Sequence, residues 1–118
     1  MNSEMKRIIE YASTLGIVEL PEPTFSLVAK GTYYGLPGLV ETAWIIRIHN
    51  KEKEMDIVKN AYITSDHLVM TSQAVEYTSL NWKYNLKKLV RKIRKLELEV
   101  KKLEENARIE KMEKDFND

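Results

Sequence analysis

A chain of 118 residues, 43% hydrophobic and 31% charged, has the composition of one ordered globular domain, which excludes a disordered tail. Nineteen basic against eighteen acidic residues leave a formal charge of +1, so the total offers no case for an acidic partner such as duplex DNA. With no cysteine, disulfides, thiolate metal sites and cysteine nucleophiles are excluded together, which fits a reducing, cytoplasmic setting.

Met5, Ile8, Ile9, Ala12 and Leu15 recur at three- and four-residue steps, predicting a short amphipathic helix over 1–16 with Ser3 as N-cap and Gly16 as its stop. Glu4, Lys6, Arg7 and Glu10 interrupt any continuous apolar run there, so neither a targeting segment nor a membrane span is expected. Pro21 and Pro23 then break regular structure.

Residues 24–34 are rich in Phe, Val, Thr and Tyr, and the stretch Gly35-Leu36-Pro37-Gly38 provides a turn before a second β-like run at 40–49. The charged cluster 50–54 separates it from a third run at 55–64, and Ser65-Asp66 turns the chain into a short apolar stretch at 68–70. Short connections between successive strands predict an antiparallel meander of three to five strands over 24–70. Thr71 or Ser72 is a candidate cap for a helix starting at Gln73, but Thr78-Ser79 is a candidate break, so 71–81 reads either as a separate helix or as an approach loop.

From Trp82 the seam Leu86, Leu89, Ile93, Leu96, Val100, Leu103 and Ala107 alternates four- and three-residue steps, a heptad pattern. Ile93 and Val100 at a, with Leu89, Leu96 and Leu103 at d, suit a parallel two-stranded coil. Lys92 would face Glu97 favourably across such a coil, whereas Glu99 would face Glu104 unfavourably, and Val90 and Leu98 widen the apolar face beyond a strict seam. A coiled coil and a helix packed on a sheet both bury this stripe. Beyond Ala107 the apolar positions Ile109, Met112 and Phe116 run one residue late. The fold class expected is therefore α+β: a short N-terminal helix, an antiparallel sheet, and a long C-terminal amphipathic region over 72–116, of one helix or two, that mediates oligomerisation.

Charge along this helix is asymmetric. Residues 83–95 hold seven bases and no acid, whereas 97–118 hold eight acids and five bases. The block can meet phosphate, with Trp82 and Tyr84 available for stacking, or pair with the acidic end of an antiparallel helix. It is not a basic-zipper arrangement, because the heptads run through the block instead of following it.

His49 and His67, with Glu41, Asp56 and Asp66, lack the spacing of a metal or acid–base site, and the four glycines form neither a dinucleotide fingerprint nor a phosphate loop. No nucleophile elbow is present either. A non-enzymatic protein without metal or cofactor is the expectation. Most aromatic residues should be core; Tyr33-Tyr34 and Trp82 are the candidates for an exposed stacking face.

The element order, together with the stretches Asn81-Trp82-Lys83-Tyr84-Asn85-Leu86-Lys87-Lys88-Leu89 and Asn106-Ala107-Arg108, resembles the phage Thoeris anti-defence nucleotide-sponge family. That resemblance implies a homo-oligomer in the host cytoplasm that sequesters a cyclic ADP-ribose signal, and cyclic oligonucleotides as a further ligand, in pockets where protomers meet. Residue chemistry nominates Trp82 for stacking, Asn85 for hydrogen bonds to base or ribose, and Arg47, Arg91 and Arg108 for phosphates. Two other readings remain: a phage or mobile-element inhibitor that binds a host protein through the helix or a strand edge, and a coiled-coil dimer that binds nucleic acid through the basic block.

Overall fold

The computed structural model describes residues 1–21, 31–40, 42–49, 51–77 and 81–116. Helix α1 spans Ser3–Thr14 and buries Met5, Ile8 and Ala12, the stripe that its spacing predicts. The N-cap is Asn2 rather than Ser3, its side-chain oxygen accepting the Met5 N–H at 2.8 Å. Gly16 ends the helix at a φ of +91°, a conformation open to glycine at little cost.

Five strands follow: β1 (Val18–Glu19), β2 (Gly31–Gly35), β3 (Ile46–His49), β4 (Glu54–Ile63) and β5 (Val69–Glu76). They form one antiparallel meander in the order β1-β2-β3-β4-β5, so the expected topology holds at the upper end of the expected strand number. The strand expected at 24–34 is seen from Gly31 onward, and residues 24–30 lie outside the described residues. The run at 40–49 is strand only from Ile46.

Side-chain alternation fixes the register. Ile46 pairs with Ile57 and Ile48 with Met55 on the core face, while Arg47 pairs with Asp56 and His49 with Glu54 on the other. Gly31 sits where a Cβ would stand 2.7 Å from the Ile48 carbonyl oxygen, so only glycine allows this approach.

The segment expected to be a helix or approach loop at 71–81 is, to Glu76, the second half of β5. Pairing with the long β4 carries the strand on, from Ile63 opposite Val69 to Asp56 opposite Glu76. Its residues from Gln73 to Glu76 are exposed on both faces, and Gln73 takes a φ of 62°. No alternation of burial was therefore available to mark the strand in the sequence.

Helix α2 is continuous over Trp82–Phe116, 35 residues, or about 52 Å at the usual rise, in a molecule 63 Å long. Its heptad seam has two fates. Leu86, Leu89, Val90 and Ile93 are buried in a common core with α1, Ile46, Ile57, Val58 and Ala61. The remainder projects: every residue from Lys101 to Asp115 is exposed, Leu103, Ile109 and Met112 included. The first half thus packs on its own sheet, and a coiled coil along the whole seam is excluded.

Candidate nucleotide-binding cleft between α2 and β4

The first turn of α2 places Trp82 and Asn85 three residues apart, on one side of the helix beside β4 and β5. Both line a small, mainly apolar recess with Val58, Val75 and Tyr77, to which Lys59 and Glu76 add charge. Lys59 and Asn85 also line a wider cleft of about 330 Å³ with Asn60, Lys88, Leu89 and Lys92. Because the two share walls, they form one groove that is aromatic at one end and cationic at the other.

The polar groups are held in place. Lys92 Nζ donates to Asn60 Oδ1, which also accepts the Ala61 N–H at 2.9 Å. The Asn60 carbonyl oxygen is thus used twice, and its amide –NH2 has no acceptor among the described residues. Trp82 meets Tyr11 of α1 edge to face, with ring centres 5.5 Å apart. Lys83 Nζ lies 5.4 Å from the Tyr11 ring centre and 5.7 Å from that of Trp82. Below the recess, the Tyr77 hydroxyl donates to Glu4, tying the end of β5 to α1. Burial and that carboxylate push the Tyr77 hydroxyl up to about 12.

Of the sequence candidates, the structure brings together Trp82 and Asn85. Arg47 does not line the groove. It lies on the sheet face opposite the core, where its Nε donates to Asp56 Oδ2 at 3.1 Å and its Nη2 binds the same oxygen. Its guanidinium also sits 5.1 Å from the centre of the Trp44 ring. Burial pulls the Arg47 pKa down, but the hydrogen bond and charge of Asp56 outweigh this and hold it above its ordinary value. Arg91 lies on the neighbouring face of α2, in a recess of about 210 Å³ with Tyr84, Lys87 and Lys88. Arg108 is exposed on the projecting half, about 39 Å along the helix from Trp82, so only another copy of the chain can bring it to the groove.

The cationic residues of the groove are Lys59, Lys88 and Lys92, with Asn60 beside them. Lys88 and Lys92 belong to the basic block that the sequence shows, but nothing local distinguishes them within it. Lys59 and Asn60 carry no signal at all, since their role depends on α2 crossing β4.

His49 bridges two carboxylates, Nε2 to Asp56 at 2.9 Å and Nδ1 to Glu54 at 3.4 Å, and no group of three or more such residues among the described residues is placed to hold a metal ion. Tyr33, a stacking candidate, is 3% exposed and packs against Trp44. No helix among the described residues is long and apolar enough to cross a membrane. Comparison with protein-family models, curated proteins and solved structures finds no match.

Proposed function

We propose that this chain is a non-enzymatic binding protein that sequesters a small cyclic nucleotide signal of the cyclic ADP-ribose type, as phage anti-defence sponges do. The observation that carries this reading is the α2–β4 groove, which combines an aromatic wall, two amides and three lysines. At about 330 Å³ its wide part lies within the range of small-molecule pockets, roughly 300–1,000 Å³. In this reading Lys59, Lys88 and Lys92 neutralise the diphosphate, Asn60 and Asn85 hydrogen-bond the ribose or base edge, and Trp82 with Tyr77 receives the base. Sequestration needs no proton transfer, and Glu76 is the one carboxylate among the residues lining the groove.

The same reading makes the protein a homo-oligomer in the cytoplasm of an infected host. Support comes from the projecting half of α2, which leaves Leu98, Leu103, Ile109 and Met112 between 41% and 59% exposed. Leu98, Ile109 and Met112 share one face of the helix, with Leu103 on the other side, and a second copy covering that face would also carry its Arg108 toward other protomers. That face equally supports the alternative of an inhibitor that docks on a host protein.

Isothermal titration with cyclic ADP-ribose isomers tests the proposal, alongside native mass spectrometry of the protein as purified. One ligand per protomer is expected, with affinity falling at least tenfold in Asn85→Ala/Lys92→Gln. Absence of binding by the parent, or equal binding by the variant, refutes it. A stoichiometric host protein retained in place of a nucleotide shifts the reading to the inhibitor.

A further inference from the structure

Seven bases lie between Lys83 and Lys95, and the structure divides them. Lys83 covers the Tyr11 and Trp82 rings, Lys92 binds Asn60, and Arg94 donates to the Leu15 carbonyl at 3.1 Å. The other four, Lys87, Lys88, Arg91 and Lys95, make no hydrogen bond or ion pair with the described residues. They fall on one stripe of α2, continued by Tyr84, at spacings of three, four, seven and eleven residues from that tyrosine. Tyr84 is 66% exposed. The stripe turns away from the face that buries Leu86, Leu89 and Ile93.

We infer that Tyr84, Lys87, Lys88, Arg91 and Lys95 form a binding surface for single-stranded nucleic acid. Four unpaired cations over about two helical turns attract a chain of phosphates, and an exposed aromatic ring at the end of the row gives a base a face to stack on. The 210 Å³ recess among Tyr84, Lys87, Lys88 and Arg91 sets ring and cations around one hollow, the combination that a nucleotide unit requires. A duplex fits less well, because its bases are stacked and paired and leave no free face for the exposed ring of Tyr84.

The rival occupant is the acidic half of a second copy's α2, and two observations count against it. The acids there are diluted by bases on their own helix: eight acids share 97–118 with five bases, and Glu97 and Lys101, Glu104 and Arg108, and Glu110 and Lys114 stand four residues apart in the favourable order, although none of these pairs closes to an ion pair. That half also exposes Leu103, Ile109 and Met112, for which the cationic stripe offers only Tyr84 at one end and Leu98 at the other. A phosphate chain carries uncompensated charge and no such apolar burden.

The surface is separate from the α2–β4 groove except at Lys88, which borders both. The test therefore leaves Lys88 in place. Fluorescence anisotropy of the full chain with a labelled twelve-residue oligothymidylate, over 50–300 mM salt, is expected to show binding whose logarithm falls with log salt at a slope of about −2 to −3, as three to four phosphate contacts on a single strand require. In Lys87→Gln/Arg91→Gln/Lys95→Gln the slope should flatten to about −1, with at least a tenfold loss of affinity at 50 mM salt. Tyr84→Ala should weaken binding at least fivefold while keeping the parent's slope. All four positions are exposed, so folding should be unaffected, and an unchanged melting temperature confirms it. Absence of binding by the parent at 50 mM salt overturns the proposal, as does a triple variant that binds like the parent. It is also overturned if the triple variant dissociates into smaller assemblies, because the stripe is then an interface between copies. Asn85→Ala/Lys92→Gln, which addresses the groove, should retain oligonucleotide binding within twofold; loss there would assign the nucleic acid to the groove and overturn the separate surface.

Discussion

Replacing Asp56 by alanine removes the acceptor shared by Arg47 and His49, and the structure sets the expected cost. The Asp56 side chain is 14% exposed and that of Arg47 26%. Stranding one partner of a fully buried pair costs roughly 3–5 kcal/mol, whereas an exposed pair is worth about 0.2–1 kcal/mol. Partial burial with two donors left unpaired places Asp56→Ala between them, at about 2 kcal/mol. For 118 residues, an unfolding entropy of roughly 2.1 cal/mol/K per residue gives ~0.25 kcal/mol/K, so the melting temperature should fall by about 8 °C. Tryptophan fluorescence is a suitable probe, because Trp44 lies 5.1 Å from the Arg47 guanidinium, and protomer concentration must be fixed if the chain associates. The double variant Arg47→Met/Asp56→Ala should recover at least half of the loss, since no stranded guanidinium remains and His49 keeps Glu54 at its Nδ1. A shift below 2 °C for Asp56→Ala would show that the Arg47–Asp56–His49 network is solvated and contributes little to the fold.

The two halves of α2 should respond differently to the same change. Ile93→Ala opens a cavity in the common core and should cost about 2–5 kcal/mol in denaturant unfolding, whereas Leu103→Ala should cost under about 0.5 kcal/mol in the dilute protomer and instead lower its tendency to associate in sedimentation velocity. Tyr77 should impose an alkaline limit. Its hydroxyl stays protonated in the folded chain up to about 12, against 10.0 unfolded. Between those values the folded state binds more protons, so stability is fully present below pH 10 and is lost as pH rises toward 12. The full shift would correspond to roughly 2.7 kcal/mol, reduced by solvent screening at this half-exposed site to about 1 kcal/mol. Tyr77→Phe should remove that slope in unfolding measured from pH 9 to 12.

What the sequence makes legible follows from periodicity. The α1 stripe, the Ile46/Ile48 alternation and the Leu86–Ile93 seam all appear as spacings and are all buried. β5 was misread because its second half is an edge exposed on both faces, and its strand geometry comes from pairing with β4, which no local pattern encodes. The groove was half legible. Trp82 and Asn85 are neighbours on one helix, whereas Lys59 and Asn60 join them only because α2 packs on β4. Residue type alone marks Arg47 as a phosphate ligand, yet the partner that occupies it, Asp56, lies nine residues away, directly across the β3–β4 register.

The divided seam also constrains any assembly built on α2. With Leu86, Leu89 and Ile93 committed to the core, a second copy has Leu98, Leu103, Ile109 and Met112 left to bury. At about 1.5–3 kcal/mol for full burial of a side chain, halved because these are already about half covered, the three that share a face, Leu98, Ile109 and Met112, from each of two copies would give roughly 5–9 kcal/mol. Bringing two molecules together costs about 4–15 kcal/mol. A simple pair of projecting helices would therefore sit near the margin. A stable oligomer would need a third helix in the bundle, a second interface such as the β5 edge, or a ligand bound by groups from more than one copy. In the last case nucleotide and assembly would reinforce each other, and the melting temperature would rise with ligand and with protomer concentration together.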